Sequence, residues 1–414
     1  MNKKLVALAV AGAFALPPLA AQAQTANVTL YGRLNVDFEF VKGRTCSAAT
    51  FPTGARGTAA GCNVGLPTES TQDSTVNRVS SNSSRLGVRG TESLGGGLNA
   101  IFQIESSING DTNGGNLGGR ETFVGLQGSW GKFTIGRFLM PQDDLHPIFG
   151  NAPTLTTSIL STAALWAQGP LNKAQGGFDA RTGNSLRYDS PNFSGFTGAL
   201  QYSTRDGSGN ADANASVSGD NGDHVSELRH ANVVGGNLIY ANGPWQAGVS
   251  FERNNKVRCP TCNDLDWTVT GAYDFGTIMQ GFGLRLAVVY EKTKYELDTL
   301  VPGGGDLKRD FWGVSGTIPV GGGKVYLFYG RAGEGKGSAP NGAAVGGLVK
   351  GPDTKSDQYE VTYSYSLSPR TLLYAGYVKI NNDSHAGYTF NINTYPIAPG
   401  GKPGGLTFGI VHFF

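Results

Sequence analysis

From Val28 to Phe40 the chain alternates with period two. Val28, Leu30, Gly32, Leu34, Val36, Phe38 and Phe40 form one set; Thr29, Tyr31, Arg33, Asn35, Asp37 and Glu39 form the other. In an extended strand these sets point to opposite faces, one apolar and one charged. A soluble sandwich also alternates, so a single strand decides nothing. The constraint is repetition. The pattern recurs to the last residue, behind a secretion-signal-like leader, and nothing after Ala23 approaches the ~18 uninterrupted apolar residues of a spanning helix. Together these features point to an all-β protein, an antiparallel transmembrane barrel with lipid outside and water inside.

Lys3 and Lys4, the apolar stretch 5–16 and Ala21-Gln22-Ala23 read as a signal peptide over 1–23, leaving 24–414 as a single barrel domain. Removing those two lysines leaves 31 basic and 31 acidic side chains, so no bulk basic surface is on offer for nucleic acid. A slightly negative mean hydropathy suits a barrel, because only alternate residues face lipid.

Sixteen segments carry the alternation. After the first come 78–91, 97–107, 119–128, 131–138, 183–190, 195–204, 230–241, 244–254, 264–275, 281–294, 309–319, 323–333, 356–367, 370–381 and 404–414. Every other connection is short, as at Ser93-Leu94-Gly95-Gly96 or Asn242-Gly243-Pro244. Those between are long and polar, as at 42–77, 205–229, 334–355 and 382–403. Short turns on one rim and long loops on the other is the asymmetry of outer-membrane barrels, with both termini on the periplasmic side. The connection from Phe138 to Ala180 is exceptional in length and holds an apolar stretch, 155–166. A loop this long is usually functional or disordered, and its apolar content favours packing inside the barrel.

Four cysteines suit an oxidising compartment. Cys46 and Cys62 lie in one loop, Cys259 and Cys262 in another, and two local disulfides fit better than zinc or redox chemistry. The five histidines (His146, His224, His230, His385 and His412) are scattered, and none sits in a nucleophile motif. No catalytic residue, cofactor or metal is expected.

Six motifs resemble the trimeric general porins of Gram-negative outer membranes. They are Thr29-Leu30-Tyr31-Gly32-Arg33, Ser84-Arg85-Leu86-Gly87-Val88-Arg89-Gly90-Thr91-Glu92, Phe123-Val124-Gly125-Leu126, Ile135-Gly136-Arg137, Asn184-Ser185-Leu186-Arg187-Tyr188-Asp189-Ser190-Pro191 and the closing run Phe408 to Phe414. The resemblance implies a water-filled channel for passive diffusion of small hydrophilic solutes and ions, and the local balance of arginines over acids named below inclines it weakly toward anions. The resemblance also implies a third loop folded inward, with acids facing an arginine ladder on Arg33, Arg85, Arg120 and Arg181. Parity points Arg33, Arg85 and Arg89 inward. The candidate loop acids are Asp143, Asp144 and Asp179. Asp37, Glu39, Arg187, Arg285 and Lys379 are further lumen candidates, with Tyr31 and Tyr377 also read as inward.

Arg137 shares parity with Phe133 and Ile135, which points it outward, where a charge facing lipid costs ~2–4 kcal/mol near midplane. The resemblance implies that it meets a second loop at a homotrimer contact, with Asp111 the available acid. It further implies that Phe414 signals to the barrel assembly machinery. Other expected partners are outer-membrane lipid and lipopolysaccharide.

Overall fold

The computed structural model describes residues 27–46, 71–150, 158–168, 171, 175–204, 231–259, 261–277, 283–298, 300 and 302–414. The proposed leader, Cys62 and the side chain of Cys46 lie outside the described residues. Sixteen strands follow in chain order. These are β1 (Asn27–Cys46), β2 (Thr71–Ser81, resuming as Arg85–Gly95), β3 (Leu98–Ile108), β4 (Thr122–Gly128), β5 (Gly131–Phe138), β6 (Thr182–Asp189), β7 (Phe196–Thr204) and β8 (Asn232–Asn242). The second half comprises β9 (Trp245–Asn255), β10 (Asn263–Asp274), β11 (Arg285–Glu296), β12 (Asp306–Val320), β13 (Gly323–Ala332), β14 (Ser356–Ser366), β15 (Thr371–Asn382) and β16 (Gly404–Phe413).

Each strand pairs antiparallel with the next, and β16 pairs with both β15 and β1, so the sheet closes. Closure leaves no unpaired edge, which is what a sheet in lipid requires. Among the described residues no helix is long and apolar enough to cross a membrane. The two faces separate as the alternation demands. On β1, Leu30 is 62% exposed on the outside, while Asn35 and Glu39 are fully buried on the inside. Aromatic pairs gather beside the short connections: Trp130 on Tyr188, Phe196 on Tyr240 and Trp245 on Tyr273. They form the girdle expected at that membrane boundary.

The second strand departs from its simple alternation. Val36 pairs with Ser81 but Arg33 pairs with Arg85, so three residues of β2 stand against two of β1. Ser83 takes a positive φ of 52°, and the Ser84 hydroxyl inserts against Asn35, accepting from its N–H at 3.0 Å. This bulge reverses the parity of everything beyond it. Arg78 and Arg85, seven residues apart, therefore both point into the barrel, and Arg78 ion-pairs with Glu39 at 2.6 Å.

The described residues of the inward loop between β5 and β6 make a second layer. Its Leu145, Ile148, Phe149, Ile159, Leu160, Leu165, Trp166 and Phe178 are buried in one cluster with inward residues of β10–β16, including Val289, Phe311, Phe328 and Val378. Glycines on the wall make room for it. A Cβ at Gly235 would stand 2.7 Å from the Met140 methyl, one at Gly376 2.9 Å from Leu160, and one at Gly405 2.7 Å from Ile159. Part of the inner wall is apolar where the loop packs on it.

This layer corrects two expectations. Lys379 and Tyr377 lie on the outward face of β15, where Tyr377 is exposed, while Val378 and Ile380 are buried inside. The rule of polar inside and apolar outside inverts where loops fill the barrel. Lys379 instead donates to the carbonyl of Lys402 at 2.6 Å on the long-loop rim. Cys259 and Cys262 are joined by a disulfide.

Candidate pore constriction

Against the inward loop stands a wall of guanidinium groups. Arg33 and Arg85 are direct cross-strand partners on β1 and β2. Like charges facing each other in a sheet are unfavourable, so the pair needs a counter-charge or a use. Glu105 on β3 supplies part of it. Arg120 donates to its carboxylate at 2.6 Å, Arg85 approaches to 3.7 Å, and the Tyr31 hydroxyl donates to it at 3.0 Å. Arg33 lies within electrostatic range of both Arg85 and Arg120. Arg89, two pleat repeats beyond Arg85, sits over the Tyr31 ring at 5.0 Å.

Arg120 precedes β4 and turns inward from the loop, while Val124 and Leu126 face out. Arg181 ends the inward loop and extends the ladder. Burial, with Arg120 adding, holds its guanidinium down to about 10. The structure therefore brings Arg33, Arg85, Arg120 and Arg181 into one zone, with Arg89 beside it. Glu105 was visible in the sequence as an inward position on β3, but nothing local marked it as the shared partner.

The loop acids divide. Asp144 is held by the wall, accepting from Arg187 at 2.7 Å and from Asn237 at 2.8 Å. Arg187 also grips Asp189 at 2.7 Å and the Leu139 carbonyl at 3.3 Å, so it anchors the start of the loop. Asp143 is the acid left facing the ladder. Burial and the adjoining Asp144 push its carboxyl up to about 7, against the pull of Arg181. At neutral pH the acid side thus carries less than its formal charge. Asp179 is buried beside His146, whose ring burial holds down to about 3 and so neutral.

The remaining lumen candidates are inward but engaged. Asp37 accepts from Ser158 at 2.7 Å, Thr407 at 2.7 Å and Tyr374 at 3.1 Å. Glu39 accepts from Arg78 and from Asn393 at 2.6 Å, tying the last long loop into the mouth. Arg285 donates to the Ile148 carbonyl and to Gln246 at 3.0 Å, fastening the short helix His146–Phe149. These side chains position loops rather than line open water. Arg137 is half-buried, donating to the Gly119 carbonyl of the second loop at 3.2 Å, and Asp111 is exposed on that loop. Phe414 continues the β1–β16 ladder through reciprocal backbone bonds with Gly32 at 3.1 and 3.2 Å.

The arrangement sets bases on the wall against an acid on the loop. It can select solutes by width and field.

Comparison with known proteins agrees with this geometry. The family model described as Gram-negative porin matches residues 7–385. Outer membrane porin protein 32 of Delftia acidovorans is 28% identical over 435 residues, covering all of both chains. An outer membrane porin protein of Bordetella pertussis is 30% identical over 410 residues, covering 91% of this chain and 93% of the relative. Among solved structures, an anion-selective porin from Comamonas acidovorans superposes with a TM-score of 0.66 at 24% identity, covering 94% of this chain and 100% of that one.

Proposed function

The chain belongs to the Gram-negative porin family, and on that premise we propose that its outer-membrane diffusion channel is weakly anion-preferring, with Arg33, Arg85, Arg120 and Arg181 setting the preference. The observation that carries this is that Arg85 and Arg120 share the Glu105 carboxylate, with Arg33 and Arg181 within electrostatic range of them and Asp144 withdrawn into a wall contact. The formal charge of the whole chain is only +2, so the preference is local. In a wet lumen at 0.1 M salt the Debye length is ~10 Å, so selectivity is modest and fades as salt rises. The channel performs no catalysis.

Replacing Arg85 and Arg120 together with serine should move the zero-current potential under a salt gradient toward cations. Asp143→Asn should move it the other way. A strong cation preference in the unaltered protein would refute the assignment.

Residues 1–23 direct export and are removed. The functional unit is a homotrimer, with Arg137 and the Asp111 loop at the contact, and outward Lys42 and Lys379 at the long-loop rim meet lipopolysaccharide phosphates. Phe414 serves the barrel assembly machinery as well as the girdle. Deleting it should therefore lower assembly in cells more than refolding in detergent. Equal losses in both assays would leave only the girdle role.

A further inference from the structure

A passive channel gives no work to His146. Its imidazole is buried, lies flat on Trp166 at 4.0 Å with the planes 6° apart, and neither ring nitrogen has a hydrogen-bond partner among the described residues. An unsatisfied buried polar group costs about 1–3 kcal/mol, so its retention calls for a use. Nε2 stands 3.7 Å from Asp179 Oδ2, too far for a hydrogen bond. With Asp143 added, the ligand atoms of the three side chains lie within 4.8 Å of one another. Two ligands each bound to one tetrahedral zinc at ~2.0–2.1 Å stand roughly 3.4 Å apart. The spacing of His146 and Asp179 is therefore close to that of groups sharing an ion.

The surroundings prepare the three groups. Asp143 and His146 are three residues apart on consecutive helical turns, which places them on one side. Asp179 comes from the returning limb of the same loop. Trp166, itself packed edge-on by Phe149, holds the ring plane. Asp143 is only half-buried, so one of the three groups is reachable from solvent. One imidazole with two carboxylates suits a zinc-like ion better than calcium or magnesium, which prefer oxygen ligands alone.

We infer that Asp143, His146 and Asp179 form a divalent transition-metal site that clamps the outgoing and returning limbs of the constriction loop. The site goes beyond the diffusion function and does not depend on its selectivity. A bound ion would place two positive charges near Arg181, so occupancy also moves the channel further toward anions.

The test uses the full-length protein, folded in detergent and stripped with EDTA. Zinc titrated by calorimetry should bind once per chain, and cobalt should give visible absorption bands of a nitrogen-containing, low-coordinate site. Asp143→Asn and His146→Gln should each weaken zinc binding by about tenfold or more. Asp143→Asn spares the buried ring and keeps the test valid if His146→Gln does not fold. In bilayers, micromolar zinc should shift the zero-current potential of the wild type toward anions and leave that of Asp143→Asn unmoved. Binding of less than one ion per chain, or binding that survives unchanged in Asp143→Asn, would overturn the site.

Discussion

Arg309→Met is expected to destabilise the folded barrel by roughly 3–5 kcal/mol, because it strands a buried carboxylate. Arg309 and Glu291 form an ion pair with both side chains fully buried beneath the inward loop. Arg309 donates to the Leu165 carbonyl at 2.6 Å and to the Tyr388 hydroxyl at 3.3 Å. Glu291 accepts from the Ala167 N–H at 2.7 Å. One pair thus fastens the inward loop and the last long loop to β11 and β12. Its loss should leave the barrel closed but the loop loose around Leu165 and Ala167, seen as noisier single-channel current. The double variant Arg309→Met/Glu291→Gln removes the stranded charge and should recover most of the stability in urea refolding titrations. A single variant as stable as the wild type would show that the pair does not anchor the loop.

Gly248→Leu is expected to narrow the channel. Gly248 is an inward position on β9, and a Cβ there would stand 2.9 Å from Ile148 Cδ1 and 3.1 Å from Leu145 Cγ. The larger side chain must push the helix His146–Phe149 off the wall, toward the lumen. Overpacking of this kind costs about 1–3 kcal/mol. Single-channel conductance should fall. Gly271→Leu on β10 is the control, since that position faces outward and its nearest neighbour is 3.8 Å away. Equal conductance in the two variants would mean that the loop does not rest on Gly248.

Much of this could be read from the chain. The sixteen strands, their order and the outward set on most of them were legible, because lipid on one side imposes period two on every strand. The family resemblance grouped Arg33, Arg85, Arg120 and Arg181, although only Arg33 and Arg85 lie within the six motifs and strand parity fixed neither Arg120 nor Arg181. The failures have identifiable causes. The parity reversal between Arg78 and Arg85 depends on a bulge at Asn82-Ser83-Ser84 that has no hydrophobic signature. Lys379 was misplaced because the interior of β15 is covered by loops, which makes the buried side the apolar one.

The sequence by itself determined the class of the molecule: a closed barrel, which residues meet lipid, and the presence of a long loop too apolar to remain in water. These follow from a rule that acts between neighbours, the alternation of a strand between two solvents. Only the tertiary structure decided which charges are free to act on a solute. Asp37 is spent on Ser158 and Thr407, Asp144 on Arg187 and Asn237, and Glu105 on Arg120, leaving Asp143 to face the ladder. Most of these partners lie tens to hundreds of positions apart in the chain. They meet because closing the barrel folds distant strands and one loop into the same small volume, where the choice of partner depends on distance in space and leaves no periodic trace along the chain.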